Sequence, residues 1–419
     1  MIHHLLFNER VNIQRRAYLW NMLSSLFYSV QSALFLLIAT RVAGEAEAGG
    51  FILLFTVAQT LNTVGNYNLR DFQASDVKEE YSFSTYFTTR VITCALMMIL
   101  AVTYCLWKQL SAESTIVMIC LAGYRMIECI EDVFHGDIQR AGRFDVTSIC
   151  MTVRIILASV IFCAVYIISG SQVPASVALL LVCFVISIFL LHIIRTEFRQ
   201  RTPIRFSTKN IPRLLIAAFP VFICAFLYTY LINVPKYAIA DLMSAETQTV
   251  FNILFMPAFV INILSMFIFK PLTVQMSLNW NNGEYQKFGK GVRKQSLLVV
   301  GLTAFVILAG ELIGLKILEW MYGVQLSEHR LTFALLLLSG GISAMAYFFN
   351  LILTIMRAQV YIIAEYAFAL LISVLVTNPL ITSKGILGAS IAYGCICSAQ
   401  MLFGLGVVLL KLNKQIKNA

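Results

Sequence analysis

The sequence predicts an all-α protein that crosses a membrane many times. Of its 419 residues, 59% are hydrophobic and 12% are charged, and the mean hydropathy is +0.81, far above that of soluble globular chains. The apolar runs repeatedly reach the roughly 20 residues that a helix needs to cross a bilayer. None alternates with the period of two that is typical of an outer-membrane strand. Because unpaired backbone cannot face lipid, we expect every span to be a helix.

Apolar runs long enough to cross a bilayer occur along the whole chain. The first begins only after Arg10, Arg15 and Arg16 and is followed by no small-residue cleavage pattern, so we expect an uncleaved span rather than a signal peptide. An even number of spans places both termini on one side of the membrane. The twelve predicted spans are 18–40, 47–67, 84–107, 113–135, 146–169, 174–195, 213–242, 247–271, 295–318, 331–356, 360–382 and 386–411.

The distribution of Lys and Arg predicts the orientation of these spans. Most of the 31 Lys and Arg residues lie at the termini and in the loops after even-numbered spans. The opposite side has only a few, namely Arg41, Lys108, Lys316, Arg330 and Lys384. The positive-inside rule therefore predicts that both termini are cytoplasmic. It also explains the net charge of +10 as a topology signal and an attraction to anionic lipid, so we expect no nucleic-acid partner.

A basic, proline-containing segment divides the chain in the middle. Pro203 and Pro212 lie between spans 6 and 7 among several Arg and Lys residues, which is typical of a linker. We therefore predict an N-lobe at 1–200 with spans 1–6, a cytoplasmic basic linker at 201–212, and a C-lobe at 213–419 with spans 7–12. Two six-helix lobes around a central site are the build expected of a parallel repeat.

Charged side chains interrupt the predicted hairpin of spans 4 and 5. Arg125, Glu128 and Asp132 share one helical face, and Arg154 lies at a similar depth on span 5, roughly 13–15 Å from the cytoplasmic side. A charge at a helix centre costs about 2.5–3.5 kcal/mol to insert, so these groups must face partners or a wet cavity. We expect Glu128 to pair with one arginine and to leave the other in excess. The alternative is an ion pair that only joins the two helices.

Other polar groups inside the spans are weaker candidates. Arg90 and Lys236 are candidate anion ligands, although both lie near enough to helix ends to snorkel. Glu365 and Asn350, each about 9 Å from the cytoplasmic side, are candidates for binding a proton or Na⁺. Polar residues expected to line the cavity, or to join helices by hydrogen bonds, are Ser25, Tyr28, Gln31, Tyr228 and Asn233.

Nothing in the sequence indicates catalysis or a resident cofactor. The chain has no phosphate-binding loop, zinc-protease motif or nucleophile elbow. Its ten cysteines are scattered through apolar runs without metal-ligand spacing. We therefore expect no enzyme activity, no metal site and no cofactor. The sequence leaves open whether transport is coupled to a proton or to Na⁺.

Two stretches resemble a known superfamily. The six-plus-six span pattern and EDVFHGDIQRAGRFD at 131–145 resemble the multidrug/oligosaccharidyl-lipid/polysaccharide (MOP) exporters. LFLLIATRVAGEAEAGGFILLFTVAQ at 34–59 is similar to the first helical pair of its Wzx-type polysaccharide repeat-unit flippases. The resemblance implies a MATE-like fold with a cationic cavity that moves an undecaprenyl-pyrophosphate-linked oligosaccharide across the bacterial cytoplasmic membrane. The implied partners are this glycolipid, membrane lipids and a polysaccharide polymerase.

Under this interpretation the substrate's phosphates are bound by Arg125, Arg154, Arg90 and Lys236. Arginine suits this role because it supplies bidentate, charge-assisted hydrogen-bond donors to phosphate. Glu128 and Asp132 are then ion-pair or coupling groups. Two alternatives remain open. A drug or organic-cation antiporter of the same superfamily would need unpaired carboxylates in the N-lobe, so the net charge of the cavity discriminates. A membrane-embedded glycosyltransferase or polymerase would need large outer loops, and the predicted ones are short.

Overall fold

The computed structural model describes residues 6–7, 12–76, 78–198 and 204–418, and this part of the chain contains helices and no strand. The all-α prediction is therefore confirmed. In chain order the helices are α1 (Ile13–Ala43), α2 (Glu45–Asn66), α3 (Leu69–Ser75), α4 (Phe83–Trp107), α5 (Ala112–Arg140), α6 (Phe144–Ser169), α7 (Gln172–Phe198), α8 (Ile211–Leu242), α9 (Ala245–Asn281), α10 (Tyr285–Ala309), α11 (Leu315–Tyr322), α12 (Arg330–Ile355) and α13 (Val360–Asn418).

Serine side chains begin several of the long helices. Ser82, Ser111 and Ser244 each accept a hydrogen bond from the backbone N–H three residues later, at the starts of α4, α5 and α9. Such caps satisfy donors that have no partner within the helix. A π-helical turn at Gly310–Gly314 joins α10 to α11.

Nine helical segments of the described residues are long and apolar enough to cross a membrane, by length and composition. α9, which contains predicted span 8, is not among them. Neither is the 29-residue α5, which contains predicted span 4. Its middle carries Arg125, Glu128, Glu131 and Asp132. Its burial inside the protein, and not its hydropathy, makes that charge tolerable.

The last two predicted spans belong to one helical segment with a break. Within α13 Gly385 has φ 57° and ψ −134°, a positive φ that costs other residues about 1–2 kcal/mol. A Cβ on Gly388 would lie 1.9 Å from the Leu380 carbonyl oxygen. The chain thus passes from one helix to the next through a contact that only glycine permits.

The residues form two compact units, Met1–Phe226 and Leu227–Ala419, whose border falls within α8. In the first unit α5 packs against α2, α3, α4 and α7, and α1 packs against α6. In the second unit α12 packs against α9, α10 and α13. α5 and α12 are therefore the helices around which the two units are built.

The short helix α3 was not expected from the apolar pattern. Its Gln73 is fully buried, and a Cβ on Gly136 of α5 would lie 2.5 Å from the Gln73 Oε1 atom. Gly136 thus allows α3 to lie directly on α5. This contact brings Arg70, one turn earlier on α3, to the charged face of α5.

Candidate functional site

Glu128 on α5 bridges two buried arginines. Its Oε2 atom lies 2.5 Å from Arg125 Nη1, and its Oε1 atom lies 2.8 Å from Arg154 Nη1. Arg154 Nε also lies 2.6 Å from Glu131 Oε2, a close ion pair without hydrogen-bond geometry. The expectation that one arginine would be left in excess is therefore wrong, because each carboxylate oxygen of Glu128 takes one guanidinium. This Glu128 cluster of two arginines and two glutamates is neutral.

Aromatic rings surround Arg125. Its guanidinium carbon lies 4.9 Å from the ring centroid of Phe55, 5.0 Å from Tyr124 and 5.4 Å from Tyr28. Desolvated cation–π contacts of this kind stabilise an arginine by about 2 kcal/mol. The Tyr28 hydroxyl accepts a hydrogen bond from Gln59 Nε2. Side chains of α1, α2 and α5 therefore all contribute to holding Arg125 inside the first unit.

Asp132, one turn along α5, lies between Arg70 and Arg90. Each guanidinium has a nitrogen 3.1 Å from one Asp132 oxygen. Arg90 is 0% exposed and also donates to the carbonyls of Gly65 and Asn66 at the end of α2. Snorkelling of Arg90 is thus excluded, because its donors point inward to a carboxylate and to the negative end of a helix. In this Asp132 cluster two arginines share one carboxylate.

The most buried acids in the described part of the first unit are paired with arginine. The five carboxylates whose side chains are 13% exposed or less each pair with at least one arginine, namely Glu128, Glu131, Asp132, Asp137 and Asp145. Besides the two clusters, Asp145 pairs with Arg16 and Arg143, and Asp137 pairs with Arg140. The formal charge of the Glu128 and Asp132 clusters together is positive by one.

The polar residues of α1 do not share one environment. Gln31 is 3% exposed, and its amide bonds to the Tyr124 hydroxyl and to Ser159 at 3.0 Å. Gln31 therefore joins α1 to α5 and α6, as interhelical amides do. Ser25 lies on the exposed side of the same helix.

The second unit contains the remaining candidates on α8. Tyr228 is half-buried, with its ring centroid 6.4 Å from that of Tyr366. Asn233 donates to the Thr229 carbonyl of its own helix. Neither contact by itself indicates a ligand.

Lys236 on α8 is a buried cation next to aromatic rings. It is 8% exposed, and its Nζ atom lies 4.6 Å from the ring centroid of Phe255 and 5.6 Å from that of Phe259. No carboxylate of the described residues forms a salt bridge with it. The second unit therefore holds a buried lysine amine whose only described partners are aromatic rings.

Glu365 on α13 is a fully buried carboxylate. Its Oε1 atom accepts a hydrogen bond from Asn350 Nδ2 at 3.1 Å. Glu365 Oε2 and Asn350 Oδ1 have no hydrogen-bond partner in the described part of the chain. A Cβ on Gly404 would lie 3.1 Å from Glu365 Oε2, so that glycine leaves the oxygen room. Two unmatched acceptors at one buried point can take a proton or a small cation.

Sequence reasoning missed Arg70, which it left in a cytoplasmic loop. Among the described residues no group of three His, Cys, Asp or Glu side chains could hold a metal ion. All ten cysteines are free thiols.

Solved structures with a similar fold are transporters. An inward-facing multidrug resistance MATE family transporter of the MOP superfamily matches with a TM-score of 0.70 and 13% identity over 93% of this chain and 96% of the other. The outward-facing conformation of such a transporter matches at 0.63 and 14% identity, over 100% and 99%. A MOP superfamily transporter from Pyrococcus furiosus matches at 0.60 and 13% identity, over 99% and 98%.

No protein-family model and no curated protein sequence matches the chain. The structural similarity nevertheless covers nearly the whole chain, so the chain has the fold of these MATE transporters. The three similar proteins named above are described as transporters.

Proposed function

We propose that the protein is a flippase that moves a pyrophosphate-linked oligosaccharide lipid across the bacterial cytoplasmic membrane for the synthesis of a surface polysaccharide. The observation that supports this proposal is the sharing of one carboxylate by two arginines on α5's charged face. Asp132 is shared by Arg70 and Arg90, and Lys236 has no carboxylate partner among the described residues. The proposal places both termini in the cytoplasm, where the glycolipid is made, and a polysaccharide polymerase downstream.

A pyrophosphate fits this charge distribution. Its negative charges lose hydration on entering the protein, and arginine compensates with two parallel donors in a low-dielectric site. The Nε atom of Arg90 has no hydrogen-bond partner in the described residues, so this guanidinium retains donor capacity. Asp132 is the one carboxylate that both arginines contact. The exposed Asp71 interacts with Arg70, so the charge available to an incoming anion is that of Arg90.

One of the similar solved structures is described as differing in function from the multidrug transporters of this fold. The Pyrococcus furiosus protein is described as having a binding pocket of reverse polarity that suggests a different function. Pocket polarity therefore varies among proteins of this fold. The buried carboxylates in the described part of the first unit are all paired with arginine here, which disfavours a cation cargo.

Arg90 gives the cleanest test. Its replacement does not strand Asp132, because Arg70 stays 3.1 Å away. We expect Arg90→Lys to slow, and Arg90→Ala nearly to abolish, the flipping of a fluorescent polyprenyl-pyrophosphate oligosaccharide in vesicles. Arg213, which is 69% exposed and pairs with Glu80, is the matched control. Flipping at the parent rate by Arg90→Ala, at equal abundance, would contradict the proposal.

We further propose that Glu365 and Asn350 bind the coupling proton or Na⁺. The two unmatched oxygens of these residues are the supporting observation. Glu365→Gln should make glycolipid flipping independent of an imposed ion gradient, with Glu328→Gln on an exposed turn as the control. Full gradient dependence in Glu365→Gln would remove this residue from coupling.

A second candidate function is an organic-cation antiporter. The specific observation in its favour is the same unmatched carboxylate oxygen of Glu365. The two functions separate in one experiment, in which vesicles are given either the labelled glycolipid or a fluorescent quaternary ammonium dye. Export of the dye that is lost in Glu365→Gln but kept in Arg90→Ala would favour the antiporter.

A further inference from the structure

One face of α10 combines exposed cations with exposed leucines. A groove of about 350 Å³ on this helix is lined by Lys290, Arg293, Lys294, Leu297 and Leu298. All five side chains are exposed. The spacing of three and four residues places them on one helical face, cations first and leucines one turn later. No described carboxylate forms a salt bridge with the three cations.

The opposite face of α10 is occupied by its own unit. Phe288 is fully buried and its ring lies 5.0 Å from that of Trp280. A Cβ on Gly289 would touch Leu412 of α13 at 3.1 Å. α10 is thus fixed in the second unit by one side, and the basic face is directed away from that packing.

The dimensions of this face match the edge of a bilayer. From Lys290 to Lys294 the helix rises about 6 Å, and the headgroup layer on each side of the hydrocarbon core is about 5–8 Å thick. Leu297 and Leu298, which are 61% and 45% exposed, follow at the depth where acyl chains begin. Arginine and lysine can bind a lipid phosphate there, while the leucines contact its chain.

We propose that this face of α10 is a binding site for a phospholipid with a net negative headgroup. The phosphate is held by Lys290, Arg293 and Lys294, and the first part of an acyl chain lies on Leu297 and Leu298. The positive-inside pattern of the chain assigns the site to the cytoplasmic leaflet. The site is separate from the buried clusters and does not depend on which substrate the protein transports.

The nearby Lys287 provides a matched control. It is on the same helix and is 69% exposed, but it pairs with Glu284 at 2.7 Å. A cation that already has a counter-ion gains less from a lipid phosphate. Lys287→Gln therefore changes the net charge of α10 without removing a free cation from the groove.

The test is retention of lipid by the full-length protein after delipidation, measured by native mass spectrometry with phosphatidylglycerol or phosphatidylcholine added back. Each cation near an anionic surface contributes roughly a fivefold factor in binding, so three give about a hundredfold. We expect the parent and Lys287→Gln to retain phosphatidylglycerol, and Lys290→Gln/Arg293→Gln/Lys294→Gln to lose at least tenfold. Lys290→Arg/Lys294→Arg, which keeps the charge, should retain phosphatidylglycerol.

Three results would overturn the proposal. The first is equal retention of phosphatidylglycerol by the parent and the triple variant. The second is equal retention of phosphatidylcholine and phosphatidylglycerol by the parent, which would mean that the headgroup charge is not recognised. The third is displacement of the lipid by millimolar inorganic pyrophosphate, which would identify a site for free phosphate. Loss of phosphatidylglycerol at high salt is expected, because exposed charges are screened.

Discussion

Replacing Arg154 by Ala should destabilise the first unit by leaving buried acids short of a counter-ion, which replacing Arg125 does not do. Arg154 pairs with Glu128 at 2.8 Å and with Glu131 at 2.6 Å, so its loss leaves two buried acids without one of their counter-ions. Removing one partner of a buried pair costs about 3–5 kcal/mol. Arg125→Ala leaves no acid without a counter-ion, because Glu128 keeps Arg154. Its cost comes from the charged hydrogen bond, about 1.5–3 kcal/mol, and from the cation–π contacts, about 2 kcal/mol, so neutralising Glu128 should not recover it.

Neutralising the stranded acids should reverse much of this loss. We expect Arg154→Ala/Glu128→Gln/Glu131→Gln to recover most of the abundance and thermal stability that Arg154→Ala loses. The measurements are membrane abundance and unfolding of the detergent-solubilised protein. Arg213→Ala removes an exposed pair and should cost about 0–1 kcal/mol. The reasoning fails if Arg154→Ala is no more destabilising than Arg213→Ala, or if neutralising the acids gives no recovery.

Two further predictions concern glycines at close approaches. Gly340→Ala should lower the free energy of unfolding by about 1–3 kcal/mol, because the new Cβ would lie 2.8 Å from the Ala258 carbonyl oxygen. Gly50→Ala, whose Cβ would have no atom within 4 Å, should raise it by about 0.5–1 kcal/mol. Thermal unfolding of both variants checks the difference, and equal melting temperatures would contradict it. Gly388→Ala should cost about 3 kcal/mol or more, seen as lost membrane abundance, because its Cβ would overlap the Leu380 carbonyl.

The helical spans could be predicted because hydropathy and the roughly 20-residue crossing length act locally along the chain. The pairing of Arg125 with Glu128 follows from their spacing of three on one helix. The break at Gly385 falls in the short loop expected between spans 11 and 12. In each of these cases neighbouring residues in the sequence decide the structure.

What could not be predicted depends on contacts between helices. The second bond of Glu128 requires the register of α5 against α6, which places Arg154 opposite it. Arg70 reaches Asp132 only because α3 packs on α5 at Gly136. α3 has only seven residues, too few for a helical period to be recognised in the sequence. It follows Tyr67 and Asn68, whose backbone is left-handed.

The two clusters on α5 therefore suit different tasks. Glu128 and Asp132 are four residues apart, about 6 Å along the helix, yet the Glu128 cluster is neutral and the Asp132 cluster is not. A neutral, fully paired cluster has little attraction for an incoming anion, and breaking its ion pairs destabilises the protein. Two arginines that share one carboxylate instead gain a second counter-ion when a phosphate binds. If the protein moves a pyrophosphate-linked lipid, loss of Arg90 or Arg70 should affect transport more than abundance, and loss of Arg154 should affect abundance first.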